Sequence, residues 1–421
     1  MAQTPLQTTK TMANNAPDGS AYSPRSPQNH TIPLVILTTL FFMWGFLTVL
    51  NDILIPFLKN VFDLSYTQAI LIQFCFFTAY FFCSLPAGVL VKKIGYQRGI
   101  VFGLLLAAFG CLLFLPAANL TSYPIFLAAL FVLASGITLL QVSANPYVTL
   151  LGPESTASRR LTLTQAFNSL GTVLGPLIGG ALILSAVASA GGGAGAVRVP
   201  YAALAVALIV LAVVFMFLKL PTVQRQQDEQ SNHSVIQYRH LTLGALAIFL
   251  YVGAEVSIGS FLINFMGQEH IAGIEEAEAA KYVSYYWLGA MIGRFVGVAL
   301  MYRFAANTML AFNSVGAVIL LLFAIMSQGT IAWIALIGVG IFNSLMFPTI
   351  FSLAITKLGP LASRGSGVLC MAIVGGALIP LSQGVLADSV GLQLSFCLPL
   401  ICYLYILFYG LKGFSPAGPK I

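Results

Sequence analysis

Two carboxylates and a set of amides sit where a water-soluble protein would not place them. Asp52 and Glu255 both fall inside long apolar runs, where a charge at the centre of a bilayer-spanning helix is unfavourable by about 2.5–3.5 kcal/mol. An acid retained there faces a cavity, finds a partner or takes up a proton, since desolvation favours the neutral form. A carboxyl that alternates between neutral and charged can stabilise one helix arrangement in one state and another in the other, which couples proton occupancy to motion. Asp52 and Glu255 are therefore the proton-coupling candidates. For Asp52 the alternative is a structural acid satisfied by hydroxyls or a helix end; for Glu255 it is a ligand role or a structural pairing.

The amides suggest a neutral, hydroxyl-rich ligand. Gln141 and Asn145 are four residues apart, and Gln165 and Asn168 are three apart, so each pair projects from one helix face. An amide offers donors and acceptors at once, as a hydroxyl does, and its charge does not change during a transport cycle. Interhelical hydrogen bonding is the competing reading for any one of them. Ser257, Ser260 and Asn264 follow at i, i+3 and i+7 and form a polar stripe from which Glu255 is offset in azimuth. Asn51, Gln73, Gln141, Asn145, Gln165, Asn168, Ser260, Asn264 and Asn343 are the candidate ligands for a sugar. Tyr285, Tyr286 and Trp287 read as membrane-interface aromatics, and Arg294 as a structural charge facing packed protein or water.

The elements that must carry these residues follow from composition. Of 421 residues, 58% are hydrophobic and 7% charged, whereas soluble domains carry charge on roughly a quarter of their residues. Apolar runs of about 20 residues recur from Ile32 to Phe408, each long enough as a helix to cross a hydrocarbon core of roughly 30 Å. Runs such as Gly103 to Leu115 do not alternate as barrel strands would. The expected fold class is all-α, with membrane spans over 33–58, 68–91, 99–117, 123–150, 161–186, 199–218, 241–266, 281–303, 308–327, 331–356, 366–387 and 392–411.

Basic residues orient these twelve spans, because Lys and Arg are retained on the cytoplasmic side during insertion. With the N-terminus inside, thirteen of the nineteen fall in cytoplasmic loops or the C-terminal tail, and only Lys59, Arg198 and Lys281 lie outside. Lys10 and Arg25 belong to the first 31 residues, a polar stretch without the basic start and apolar core of a cleavable signal, which reads as a disordered cytoplasmic tail. The net charge of +7 then requires no nucleic acid. Six cysteines, all within apolar spans, show neither paired-loop nor metal-ligand spacing and read as packing residues.

An internal repeat organises the chain. Gly45 aligns with Gly253, Gly88 with Gly297, and Gly152-Pro153 with Gly359-Pro360, at offsets of 208, 209 and 207. One such match could arise by chance; three at nearly constant spacing mark a duplicated unit. The expected organisation is a six-helix bundle over 32–220, a polar cytoplasmic linker over 221–240, a second six-helix bundle over 241–412 and a short cytoplasmic tail over 413–421. Both copies run in the same direction, so a pseudo-twofold axis along the membrane normal should relate them, with the site between them near the midplane.

Several motifs add a family resemblance. Gly88-Val89-Leu90-Val91-Lys92-Lys93-Ile94-Gly95 is similar to the loop 2–3 signature of the major facilitator superfamily, except that Lys92 stands where that signature has an acid. Asn51-Asp52-Ile53-Leu54-Ile55-Pro56, Ala144-Asn145-Pro146-Tyr147-Val148-Thr149, Leu151-Gly152-Pro153-Glu154-Ser155 and Gln165-Ala166-Phe167-Asn168-Ser169 resemble the fucose permease family of proton-coupled sugar symporters, and Phe347-Pro348-Thr349-Ile350-Phe351-Ser352 extends the likeness into the second half. The resemblance implies a proton-coupling role for Asp52 and sugar contacts for Gln165 and Asn168. Gln141 replaces a glutamate of the fucose permeases, and Gly253-Ala254-Glu255-Val256 carries an acid where the fucose carrier has an amide. This combination resembles the family's glucose/galactose branch.

The resulting expectation is a secondary active transporter that carries a monosaccharide of the glucose/galactose type inward with a proton, by alternating access. Passive facilitation, or fucose, fructose or N-acetylglucosamine as cargo, is the alternative. The four histidines fall in expected tails and loops, and no HExxH or P-loop is present, so neither an enzyme nor a nucleotide-driven pump is expected. No cofactor or metal is implied. The expected setting is the inner membrane, with both termini cytoplasmic, protons as coupling ion, lipid as surroundings and a monomeric state.

Overall fold

The computed structural model describes residues 31–62, 66–189, 194–218 and 234–416; among these the chain is helical apart from its turns. Most of the expected N-terminal tail and linker lies outside the described residues. The first half comprises α1 (Thr31–Val61), α2 (Tyr66–Ile94), α3 (Tyr96–Asn119), α4 (Tyr123–Leu150), α5 (Ala157–Ser189) and α6 (Arg198–Phe217). The second begins with α7 (Arg239–Gly267), α8 (Glu276–Leu300) and α9 (Ala306–Met326). Its last three spans are each made of two pieces: α10 (Gly329–Asn343) with α11 (Met346–Ile355), α12 (Ala362–Met371) with α13 (Gly375–Val390), and α14 (Leu392–Ser395) with α15 (Cys397–Phe408). Ten segments of the described residues are long and apolar enough to cross a membrane; α1 and α5, of 31 and 33 residues, complete the twelve.

Those three breaks depart from the continuous helices that hydropathy predicts, and proline explains two of them. Pro348 and Pro399 have no N–H to give, and each ring crowds the carbonyl four residues earlier, which places the interruptions at Ser344 and at Ser395-Phe396. The third is a 3-10 turn over Ala372–Val374 leading into Gly375 and Gly376. His240 is not in a loop: it lies buried in the first turn of α7, where its Nε2 is 2.9 Å from the Thr356 carbonyl. Of the cysteines, Cys111, Cys370 and Cys402 are buried packing residues, but Cys397 is exposed.

The repeat is visible as one packing device used twice. A methyl group added at Gly45 would collide with the Asn168 carbonyl of α5, and one added at Gly253 with Ile379 and the Gly375 carbonyl of α13. The first span of each half thus lies directly on the backbone of the fifth. Close approach through small residues is the usual way to associate helices in lipid, where no hydrophobic force separates protein from solvent. The α3 and α4 helices use it too, with Gly136 set against Ala107 and Gly110 against Leu133.

The two bundles meet at the end that carries Arg159, Arg160, Arg303, Lys357 and Arg364, called here the basic end. Ser158 Oγ and Ser352 Oγ are 2.5 Å apart, and the Arg159 guanidinium carbon lies 3.8 Å from the centroid of the Tyr302 ring. Ser363 Oγ donates to the Tyr96 hydroxyl at 3.0 Å and Ser366 Oγ to the Val142 carbonyl at 3.0 Å. Gly88 and Gly367 let α2 and α12 touch along their backbones. The basic end is therefore closed by neutral hydrogen bonds, a cation–π contact and small-residue packing. Gly45→Ala is expected to destabilise the protein by about 1–3 kcal/mol, the usual effect of overpacking, and to lower its unfolding temperature in detergent. Gly384→Ala, where a methyl group meets only Phe261 Cζ at 3.6 Å, should not lower that temperature, since alanine is the better helix former.

Candidate functional site

The N-terminal half contributes buried amides. Gln141 on α4 is 7% exposed and donates from Nε2 to the Tyr80 hydroxyl of α2 at 2.7 Å, while its Oε1 has no partner among the described residues. One turn further along the same face, Asn145 is completely buried and neither of its side-chain polar atoms has a partner among the described residues. Gln165 on α5 is buried. Asn168, one turn on, donates from Nδ2 to the Phe41 carbonyl of α1 at 2.9 Å. Its nitrogen is thus engaged in holding α5 to α1. The side chains of Asn51, Asp52 and Gln73 lie outside the described residues; the backbone places the first two on α1 and the third on α2.

The C-terminal half contributes an acid in a cage of tyrosines. Glu255 on α7 accepts a hydrogen bond at Oε1 from the Tyr251 hydroxyl, 2.7 Å away on the preceding turn. The same hydroxyl lies 3.0 Å from the Asn343 carbonyl at the end of α10. Tyr286 of α8 donates to the Glu255 backbone carbonyl at 3.1 Å and receives Asn343 Nδ2 at 2.6 Å. Tyr403 of α15 donates to Asn343 Oδ1 at 2.6 Å. Asn343 is fully buried, and both its side-chain nitrogen and its oxygen are hydrogen-bonded to tyrosines, so it orders this cage. Tyr286, expected at a membrane interface, is instead one of the most buried side chains, whereas Tyr285 is exposed.

The polar stripe on α7 divides. Ser257 is fully buried with its hydroxyl unpaired among the described residues, while Ser260 and Asn264 are exposed. Glu255 points away from this stripe into its own bundle, in keeping with its offset azimuth. Arg294 on α8 donates from Nε to the Ser344 carbonyl at 3.0 Å and from Nη1 to Ser169 Oγ of α5. It spans the boundary between bundles, and its charge acts on the Glu255 carboxyl. Tyr251 and Tyr403 were not singled out by the sequence reading, although Tyr251 stands four residues before Glu255, on its own face. A cavity of about 350 Å³ lined by Glu154, Ser158, Asn307, Ser352, Thr356 and Lys357 lies at the basic end, separate from the amides and the acid.

The arrangement matches known proteins closely. Residues 35–372 match the model of the Major Facilitator Superfamily. The chain is 58% identical over 393 residues to a protein of Brucella abortus biovar 1 (strain 9-941) named glucose/galactose transporter, covering 92% of this chain and 95% of that one. It is 35% identical over 435 residues to the L-fucose-proton symporter of Escherichia coli (strain K12), covering 97% and 98%. Among solved structures, a transporter of the same superfamily, FucP, in the outward conformation superposes with a TM-score of 0.82 at 34% identity, covering 90% of this chain and 98% of that one.

The unpaired amide of Asn145 gives a stability prediction. A buried polar group without a partner is destabilising by about 1–3 kcal/mol, whereas an apolar group of similar shape carries no such penalty. Asn145→Leu is therefore expected to raise the unfolding temperature in detergent by a few degrees. Gln141→Leu, which strands the Tyr80 hydroxyl, should lower it; a fall for Asn145→Leu would show that this amide is satisfied in the folded protein.

Proposed function

The chain belongs to the Major Facilitator Superfamily, and from that membership we propose that it carries a glucose/galactose-type hexose inward with a proton, by alternating access. The observation that carries this reading is the 58% identity, sustained over almost the whole of both chains, to a glucose/galactose transporter. The 35% identity to a proton symporter supports the coupling ion. A protein of this family crosses the membrane many times and is not an enzyme.

In this proposal the basic end faces the cytoplasm, as the retention of Lys and Arg requires, and both termini lie there. The two bundles extend over 32–220 and 241–412, joined by a linker over 221–240. The closure at the basic end then shuts the candidate site off from the cytoplasm. Asp52 and Glu255 are the titrating groups. Gln141, Asn145, Gln165 and Asn168, with Asn51 on α1 and Gln73 on α2, supply amides for sugar hydroxyls from one bundle, and Ser260 and Asn264 supply exposed polar groups from the other. Asn343 acts as support for Glu255.

Amides bind a neutral sugar without a net charge to desolvate, and the acids supply the charge change that a gradient can drive. Fucose ranks lower as cargo because the relative named for it is much less similar and because Gln141 offers no carboxylate. In proteoliposomes, glucose and galactose are expected to draw protons in at rates at least about tenfold above fucose, the discrimination that roughly 1.4 kcal/mol of binding difference gives. Sugar uptake without proton movement would identify a facilitator instead. Asp52→Asn should retain sugar exchange between equal concentrations yet lose accumulation driven by a pH gradient, because the amide imitates the permanently neutral acid. Undiminished accumulation would remove Asp52 from the coupling mechanism.

A further inference from the structure

The break in the tenth span joins two groups that sequence keeps apart. Pro348 deprives the Ser344 carbonyl of its helical donor, so α10 ends at Asn343 and α11 starts at Met346. Hydrocarbon supplies no replacement donor. The freed carbonyls are met instead by side chains from two other helices: Asn343 by the Tyr251 hydroxyl at 3.0 Å, and Ser344 by Arg294 Nε at 3.0 Å. Each of these side chains has a second partner. The Tyr251 hydroxyl also reaches Glu255 Oε1 at 2.7 Å, and Arg294 Nη1 reaches Ser169 Oγ in the opposite bundle.

We propose that Arg294 is a positioning residue for transport: held by the span-10 break, it ties the state of Glu255 to the closure of the basic end. This inference rests on the reading of Glu255 as a coupling acid.

Tyr251 has one hydroxyl hydrogen and two acceptors. An ionised carboxylate is the stronger acceptor, so a charged Glu255 holds that hydrogen and leaves the Asn343 carbonyl poorly served. The same negative charge draws the Arg294 guanidinium toward α7 and away from Ser169. A neutral Glu255 releases both: the hydroxyl turns to the break, and Arg294 remains on Ser344 and Ser169, holding the bundles together. The groups that act electrostatically on Glu255, or that feel its charge, are Tyr251 of its own helix, Tyr286 and Arg294 of α8, and Tyr403 of α15. Arg294 is the cation among them, and it also touches the opposite bundle. A proton bound without sugar therefore keeps the basic end shut, which prevents the proton from crossing alone.

The test reads closure directly. Ser158→Cys with Ser352→Cys places two thiols where the native hydroxyls are 2.5 Å apart, so the rate of disulfide formation in sugar-free proteoliposomes reports the closed fraction. Adding Ser169→Ala or Arg294→Gln is expected to lower that rate about tenfold, the effect of losing one hydrogen bond to a charged group, and combining them should lower it no further. Glu255→Gln should raise the rate in the parent and leave it unchanged beside Arg294→Gln, a dependence that a purely structural arginine would not produce. Ser169→Ala, a small change on the opposite bundle, keeps the test valid if Arg294→Gln yields little folded protein. Rates within twofold of the parent for both variants, or a Glu255→Gln effect that persists without Arg294, would overturn the proposal. No sugar or proton gradient enters this measurement, so its failure is separable from a failure of proton-driven sugar uptake.

Discussion

A bilayer offers no hydrogen bond to a peptide group, and this constraint governs how polar side chains are used throughout the molecule. At several helix ends and at the break in span 10, a side chain from another segment meets the exposed carbonyls. Arg160 at the start of α5 donates to the Val148 and Thr149 carbonyls at the end of α4, and to Pro153 in the turn between. Gln97 on α3 donates to Phe215 and Leu218 at the end of α6, at 2.7 Å each. His240 lies against the Thr356 carbonyl beyond α11, and Arg294 serves Ser344 inside span 10. A guanidinium with five donors in a fixed fork suits the first and last of these tasks; a lysine could not reach two partners in the same way.

Against that background, the side-chain atoms left without partners are informative. Gln141 Oε1, both polar atoms of Asn145, His240 Nδ1, Ser257 Oγ, Gln268 Oε1, Thr349 Oγ1 and Gln383 Oε1 are buried and unpaired among the described residues. Five of these eight atoms belong to residues of α4 and α7, one helix from each half. The halves share their framework, as the paired contacts at Gly45 and Gly253 show, yet they have diverged in chemistry. The first half exposes amide capacity, while the second devotes its amide Asn343 to organising three tyrosines and an acid. Duplication thus supplied the scaffold, and substitution on each copy gave the two halves different polar chemistry.

The framework was legible because it rests on long-range regularities: apolar length, the sorting of basic residues, and three glycine landmarks at a common spacing. Span 4 was placed at its observed limits, 123–150. The broken spans were not legible from hydropathy, since Pro348 and Pro399 sit in runs that remain strongly apolar, although the missing amide of each proline was there to be read. At the site, residue type showed that Glu255 and the amides were unusual but not which way they faced. Asn343 and Asn168 are candidate ligands by type, because an amide in lipid suits a sugar; packing shows that Asn343 bonds tyrosines of its own bundle and that the Asn168 nitrogen also bonds α1. Tyr286 was misread because hydropathy cannot distinguish an aromatic at the interface from one buried beneath it. The role of Asp52 still rests on sequence.

The absence of an acid at Lys92, in a motif that otherwise follows the superfamily's pattern, also has a physical reading. A closure held by an ion pair at the membrane surface is weakened by salt and by the entropy of ordering two long side chains. Here the basic end is shut by backbone contact at Gly88 and Gly367, by serine hydroxyls and by the Arg159–Tyr302 stack. Each of these is short-ranged and vanishes within a small separation, so closure at this surface is strong in contact and exerts little pull once broken. The Arg294 charge lies deeper in the protein, where it is screened less than a surface charge and can act on closure over a longer range. That division suits a carrier whose rocking must respond to a proton held inside the membrane rather than to the ionic strength outside it.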